Sequence, residues 1–306
     1  MKIGINATGL VQSASADKVT NAAIAAEHDG FDSFWIAEHP TGGFDALTVL
    51  ALAGQQTQRL ELGTAIVPTH PRHPMVLAGQ AQTAANSIDG KLTLGIGLSH
   101  AVMMENLGYD FDKPIRHLRE YLEVLMALLE TGACDFKGEV IRCTERFFQP
   151  PEKRVEVLVA ALGPQALAVT GRLAHGTTLA WVGPKTVSSH IAPRIREAAS
   201  KHGRDEPRIV ATLPVCVTGD PDGVREMIGK GLKMYGQLPS YRAMFDREAV
   251  SGPQDVAIVG SRDAVVEGIS AMRDAGVTDF TPTEFCRTTQ ERHDTRELLK
   301  ALAAAS

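Results

Sequence analysis

Short apolar runs alternate with longer segments of helical period along the whole chain. Lys2–Asn6 reads as a first strand, and the Ala-rich stretch Asp17–His28 as a first helix stopped at Gly30. Ser33–Ala37, apolar and aromatic, has the composition of a strand buried on both faces. A helix over Asp45–Gln56, a strand over Leu60–Ile66 and a helix over Pro74–Ile88 follow, then a strand over Leu92–Gly97. Pro114–Leu129 gives the clearest helical signal. Leu118, Leu122, Leu125 and Leu129 fall on one face, with Arg116, Arg119, Glu120 and Glu123 largely elsewhere. Phe136–Phe148 has no helical period and reads as a hairpin-like insertion.

The alternation then resumes. Val155–Ala161 is a strand and Pro164–Leu173 its helix, with Pro at the first helical position. Gly176–Ala180 and Arg208–Val217 are further strands around a helix over Pro184–Lys201, and Asp220–Pro221 starts a helix running to about Met234. Tyr235–Gly252, with Pro, Gly, Ser and two Tyr, reads as irregular. A helix over Ser261–Ala275 precedes a strand over Thr278–Pro282, and Asp294-x-x-Glu297 resembles the capping box of a last helix.

Strictly alternating strand–helix units require a parallel sheet. Eight of them point to a closed (β/α)8 TIM barrel with insertion segments, occupying residues 1–306 as one domain. An open dinucleotide-binding sheet would want a glycine-rich loop after the first strand, and Gly4–Ile5–Asn6–Ala7–Thr8–Gly9 does not supply one.

Composition narrows the function. A formal charge of −5, with no Lys/Arg-rich block, gives no footprint for nucleic acid. No apolar run reaches the roughly 18 residues of a membrane span, and Met1–Asn6 has the pattern of a strand rather than of a signal peptide. The four cysteines, Cys134, Cys143, Cys216 and Cys286, are scattered without a C-x-x-C, which fits ordinary thiols in a reducing, cytoplasmic setting.

In such a barrel the chemistry sits at the C-terminal ends of the strands. That criterion selects Asn6, Glu38 and His39, Ile66–His70, Gly97–His100, Leu162 and Gly163, Thr178, Trp181 and Glu284. His39 is the candidate acid–base group, because imidazole titrates near neutrality; the alternative is a loop histidine bonded to backbone. Glu38, one residue before, points to the opposite side if the strand continues. His70, His73 and His100 could reach one metal ion, but no carboxylate lies at ligand spacing, and Pro68, Pro71 and Pro74 favour a rigid loop. Gly163–Pro164–Gln165 places a helix N-terminus, an anion-binding element, at the end of a strand.

Taken together, these segments resemble a family. Ser33–His39 is similar to the second-strand motif of luciferase-like oxidoreductases. Leu62–Pro68 followed by Arg72–His73–Pro74 is similar to their third strand and loop, Asp89–Gly97 to their fourth strand, and His117–Leu122 to the helix beyond. The resemblance implies a (β/α)8 barrel, usually a homodimer, that uses coenzyme F420 or reduced FMN. It implies that His39 faces the reactive edge of the cofactor ring and that a bulge at Ala65–Ile66, with a non-prolyl cis peptide, supports its back. It places Gly97, Leu98 and Ser99 in the cofactor-contacting loop, and Leu162, Gly163 and Gln165 at the phosphate. The stretches Leu162–Gly163–Pro164 and Arg116–Tyr121 resemble the deazaflavin-using branch most. The expectation is therefore an F420-dependent oxidoreductase acting on a small-molecule substrate. The alternatives are an FMN-dependent monooxygenase, in which a second His often stands where this chain has Pro40, and a non-catalytic flavin-binding barrel.

Overall fold

The computed structural model describes residues 1–13, 15–40 and 42–305. Eight parallel strands form its wall. They are β1 (Lys2–Ile3, continuing as Ile5–Asn6), β2 (Ser33–Ile36), β3 (Glu61–Thr64, continuing as Val67–Pro68) and β4 (Leu92–Gly97), then β5 (Glu156–Val159), β6 (Gly176–Ala180), β7 (Arg208–Thr212, continuing as Pro214–Val217) and β8 (Asp279–Phe280, continuing as Thr283–Glu284). Each pairs with its successor, and β1 closes the ring: Ile5–Asn6 pairs with β2, while Lys2–Ile3 pairs with β8. Every residue of β2 and β4 is buried, as expected of strands covered on both faces.

The barrel interior is filled by Trp35, Leu158 and Val210 from β2, β5 and β7, with Ala65 packed against them. The indole lies across β3 at Gly63, where an added Cβ would sit 2.2 Å from Trp35 Cε3, so that position has no room for a side chain. Below this layer, at the N-terminal end, Arg208 plugs the barrel floor. Its guanidinium bonds Asp279 (2.6 Å), Glu156 (2.7 Å) and Glu61 (3.0 Å), residues that open β8, β5 and β3. Thr93 of β4 donates to Glu61 at 2.7 Å. Four strands are thereby tied together through one cation.

Local chemistry sets the helix starts. Ser15 and Asp45 cap the helices Ala16–His28 and Ala46–Gly54, and His73 caps Pro74–Ser87 through Nδ1. The helix Pro114–Thr131 ends at Gly132 in the left-handed region (φ 73°). Its leucine face is buried as expected, but Glu120 is buried too, at 1% exposure. The reason is the insertion beyond it. The strands Ala133–Lys137 and Arg142–Arg146 form the expected hairpin, whose turn folds back so that Glu139, Val140 and Ile141 donate their N–H groups to the Glu120 carboxylate.

Other expectations are corrected. Tyr235–Gly252 is not irregular: it holds a single turn, Tyr235–Gln237, and a helix, Pro239–Glu248, which like several others begins on a proline. The strand Ile258–Gly260, unforeseen, extends the upper part of β7. The last helix is Thr289–Ala304, beginning before Asp294, because Thr288 and Glu291 form the capping box instead. Glu284 is engaged by that helix rather than by the mouth, pairing with Arg296 at 3.1 Å. The four cysteines are free thiols, and the fold brings them into two neighbouring pairs, Cys134 with Cys143 and Cys216 with Cys286. Among the described residues no helix is long and apolar enough to cross a membrane.

Candidate active site

The C-terminal mouth of the barrel gathers most of the residues singled out from the sequence. On β3 the peptide between Ala65 and Ile66 is cis, and the strand pairing is interrupted there. The link to β2 survives on both sides of the interruption: Ala65 N–H donates to the Ile36 carbonyl (2.7 Å) and Glu38 N–H to the Ile66 carbonyl (2.9 Å). Ala65 and Ile66 are partly open, while Leu62–Thr64 and Val67–Thr69 on either side are buried. The bulge is therefore the part of β3 that a ligand can reach. The Ile66 side chain lies against β4, where a Cβ on Gly97 would come within 3.0 Å of Ile66 Cγ1 and 3.2 Å of Ala160 Cβ. Ile66, Gly97 and the end of β5 thus form one continuous apolar wall.

Beyond β4 the chain rises through Leu98, Ser99 and His100, all half-buried, with Ser99 in the left-handed region (φ 61°). His39, after β2, comes close enough to His100 for the two imidazoles to interact: burial first, and then the His39 charge, hold His100 below the usual histidine range. Glu38 takes no part. Its carboxylate binds the Arg72 guanidinium and accepts the Ala46 N–H at 3.0 Å, fastening the loop after β3 to the loop after β2.

At β5, Gly163 precedes the helix Pro164–Leu173, which no side chain caps, and a Cβ on Gly163 would meet nothing within 4 Å. An uncapped helix N-terminus beside open space suits an anionic group. Leu162 is fixed from behind, since His190 Nε2 donates to its carbonyl at 2.8 Å. His190 lies on a π turn, Val187–Ile191, inside the helix that follows β6. Gln165 is exposed at the first turn of its helix.

The histidines considered as metal ligands separate. His73 caps a helix and bonds the Arg142 carbonyl (3.1 Å), while His70 stacks on His117 with ring centroids 4.0 Å apart. His117 shares a hydrogen bond with Thr69 Oγ1 (3.1 Å), and burial, with the neighbouring His70, pushes it down to about 4. Among the described residues no group of His, Cys, Asp and Glu could hold a metal ion. Asn6 is drawn into the barrel top, where it donates to Thr212 Oγ1 at 3.1 Å, and Thr212 shares a further bond with Thr281.

Sequence reasoning missed His190 altogether, because its place depends on the π turn. It also missed the unpaired polar atoms of this region: Trp181 Nε1, His190 Nδ1 and His70 Nδ1 are buried without a hydrogen-bond partner. Buried polar atoms are normally paired, and each of these three is a point where a ligand can supply the partner.

The bulged third strand, the apolar wall at Gly97 and the uncapped helix behind Gly163 thus meet at the C-terminal mouth of one closed (β/α)8 barrel. The chain belongs to the luciferase-like monooxygenase family, whose model matches residues 1–279. It is 28% identical over 223 residues to the F420-dependent glucose-6-phosphate dehydrogenase of Nakamurella multipartita, a match covering 69% of this chain and 66% of that protein, just under two thirds of its length. Among solved structures it is similar to an F420-dependent secondary alcohol dehydrogenase (TM-score 0.80, 20% identity, 99% of this chain and 98% of that one). It is also similar to the coenzyme F420-dependent tetrahydromethanopterin reductase of Methanopyrus kandleri (TM-score 0.76, 20% identity, 99% and 97%).

Proposed function

We propose that the protein is an F420-dependent oxidoreductase that moves a hydride between the deazaflavin and a small organic substrate. The observation that carries this reading is the convergence, at one end of the barrel, of the Ile66–Gly97 wall and the uncapped helix behind Gly163. The names of the relatives and of the similar structures support the choice of cofactor.

The residues fit such a group. Ala65 and Ile66 would back its flat ring, Gly97, Leu98 and Ser99 would flank it, and Leu162, Gly163 and Gln165 would hold its phosphate at the helix N-terminus. Bound F420 supplies or accepts the hydride. The protein positions the substrate and moves the accompanying proton, which we assign to the His39 imidazole acting on the substrate oxygen. Burial holds His100 below the usual histidine range, which disfavours a second cation beside His39.

Titration with F420 and, separately, with FMN, followed by ligand fluorescence, tests the cofactor. Binding of F420 alone supports the proposal, whereas preference for FMN would move the protein to the monooxygenase reading. His39→Ala is expected to lower turnover by about 10²–10⁴-fold with cofactor affinity retained. Unchanged turnover would remove His39 from the chemistry.

A further inference from the structure

The four thiols form two pairs that differ in geometry and in setting. Cys134 and Cys143 lie on the two strands of the hairpin but do not face each other: Cys134 faces Glu145, and Cys143 faces Phe136. Diagonal neighbours across such a ladder stand about 7–8 Å apart, past the reach of a disulfide without backbone movement. Burial, and then the neighbouring Cys143, push the Cys134 thiol up to about 11, so at neutral pH it stays protonated and unreactive.

Cys216 and Cys286 are arranged differently. Cys216 lies in Pro214–Val217, the upper part of β7, and is fully buried. The upper part of β8 runs beside it in parallel, with Val215 facing Glu284 and Phe285 N–H donating to the Val215 carbonyl at 3.1 Å. The strand ends at Glu284, which frees Cys286 from its alternation, and the Cys286 thiol interacts directly with that of Cys216. The last helix closes the pair from behind. Thr295 Oγ1 accepts the Val217 N–H at 2.8 Å and lies 3.5 Å from Cys286 Sγ. Of the two thiols, only Cys286 is partly open to solvent. Contact with Cys216, then with Thr295 and the charge of Arg292, hold its thiol below the usual range against the effect of burial. Cys216 is pushed the other way by the same contact and by its own burial. One thiol is therefore reachable and primed, and the other is sealed behind it.

We infer that Cys216 and Cys286 form a thiol–disulfide exchange site for low-molecular-weight disulfides, in which Cys286 attacks and Cys216 resolves. The Cys286 thiolate attacks one sulfur of the incoming disulfide, RSSR. A mixed Cys286–SR disulfide forms, and the released RS⁻ takes a proton from solvent. Cys216 then attacks Cys286 Sγ, and its proton leaves with the second RSH. The two cysteines together lose two electrons, and one small disulfide is reduced to two thiols. The new bond ties β7 to the segment leading into the last helix, and excess RSH reverses it.

The test exposes the native full-length protein to oxidised glutathione, alkylates the remaining thiols and maps all four cysteines by mass spectrometry. The expected result is a single disulfide-linked peptide pair containing Cys216 and Cys286, with Cys134 and Cys143 recovered alkylated. Cys216→Ser is expected to stop at a glutathione mixed disulfide on Cys286, and Cys286→Ser to slow thiol loss at least about tenfold. Circular dichroism checks that each variant is folded, and the map of the unaltered protein decides the matter without them. Oxidation of Cys134 or Cys143 ahead of Cys286, recovery of all four cysteines alkylated, or a folded Cys216→Ser variant without the mixed disulfide would each overturn the inference.

Discussion

At the floor of the barrel Arg208 is fully engaged by Asp279, Glu156 and Glu61, and Glu61 is engaged again by Thr93. At the mouth, by contrast, Trp181 Nε1, His190 Nδ1 and His70 Nδ1 are buried without partners, and the Tyr235 ring packed against Trp181 carries no fixed charge. The two ends solve opposite problems with polar groups. A closed network of charges ties strands together and leaves nothing for a ligand. An open set of unpaired polar atoms adds nothing to the fold, and each is a point that a ligand can complete. The contrast sets a closed charge network at the floor against open polar atoms at the mouth, the end at which (β/α)8 enzymes generally carry their chemistry.

The sharpest way to break this contrast is at the floor. Arg208→Met leaves three carboxylates facing one another and is expected to lower the unfolding free energy by about 3 kcal/mol, read by urea denaturation, while the folded fraction still binds F420 normally. A loss of cofactor affinity in folded protein would show that the two ends are not separable.

The next effect is pH-dependent. His117 is held down to about 4 by burial and by His70. Between its unfolded value near 6.5 and about 4 the unfolded chain binds the extra proton, so stability is complete above about 6.5 and falls as pH drops. The expected loss is on the order of 2–3 kcal/mol, and His117→Gln should remove that slope from a pH series of unfolding curves. Glu120→Gln, which weakens three charge-assisted bonds to the hairpin turn, is expected to cost about 1–2 kcal/mol and to speed proteolysis between Lys137 and Arg142. Smallest of all, Trp181→Phe should leave stability within about 0.5 kcal/mol or raise it slightly, because it deletes a buried donor that has no acceptor.

The barrel was legible in the sequence because its strands are short apolar runs and its helices carry their own start signals: Asp45, Asp220 before Pro221, and the prolines at 74, 114 and 164. The position of the site followed from the barrel, since strand ends are readable once strands are. What stayed hidden depends on partners distant in the chain. Glu120 looks like a solvated helix residue until the hairpin folds over it. Arg208 looks like an ordinary strand edge until Glu61, Glu156 and Asp279 converge on it. The last helix starts after Thr288 rather than near Asp294, because Glu291 completes a capping box with Thr288 and also binds Thr218 and Arg287.

The π turn at Val187–Ile191 has a consequence for the reading frame of the molecule. A π turn holds one residue more than an α turn, and each residue of an α-helix advances it by about 100°. Deleting a single residue there would let the helix run on as regular α-structure, but would swing His190 or the helix after it out of phase, away from the Leu162 carbonyl. The site's geometry is kept there by counting.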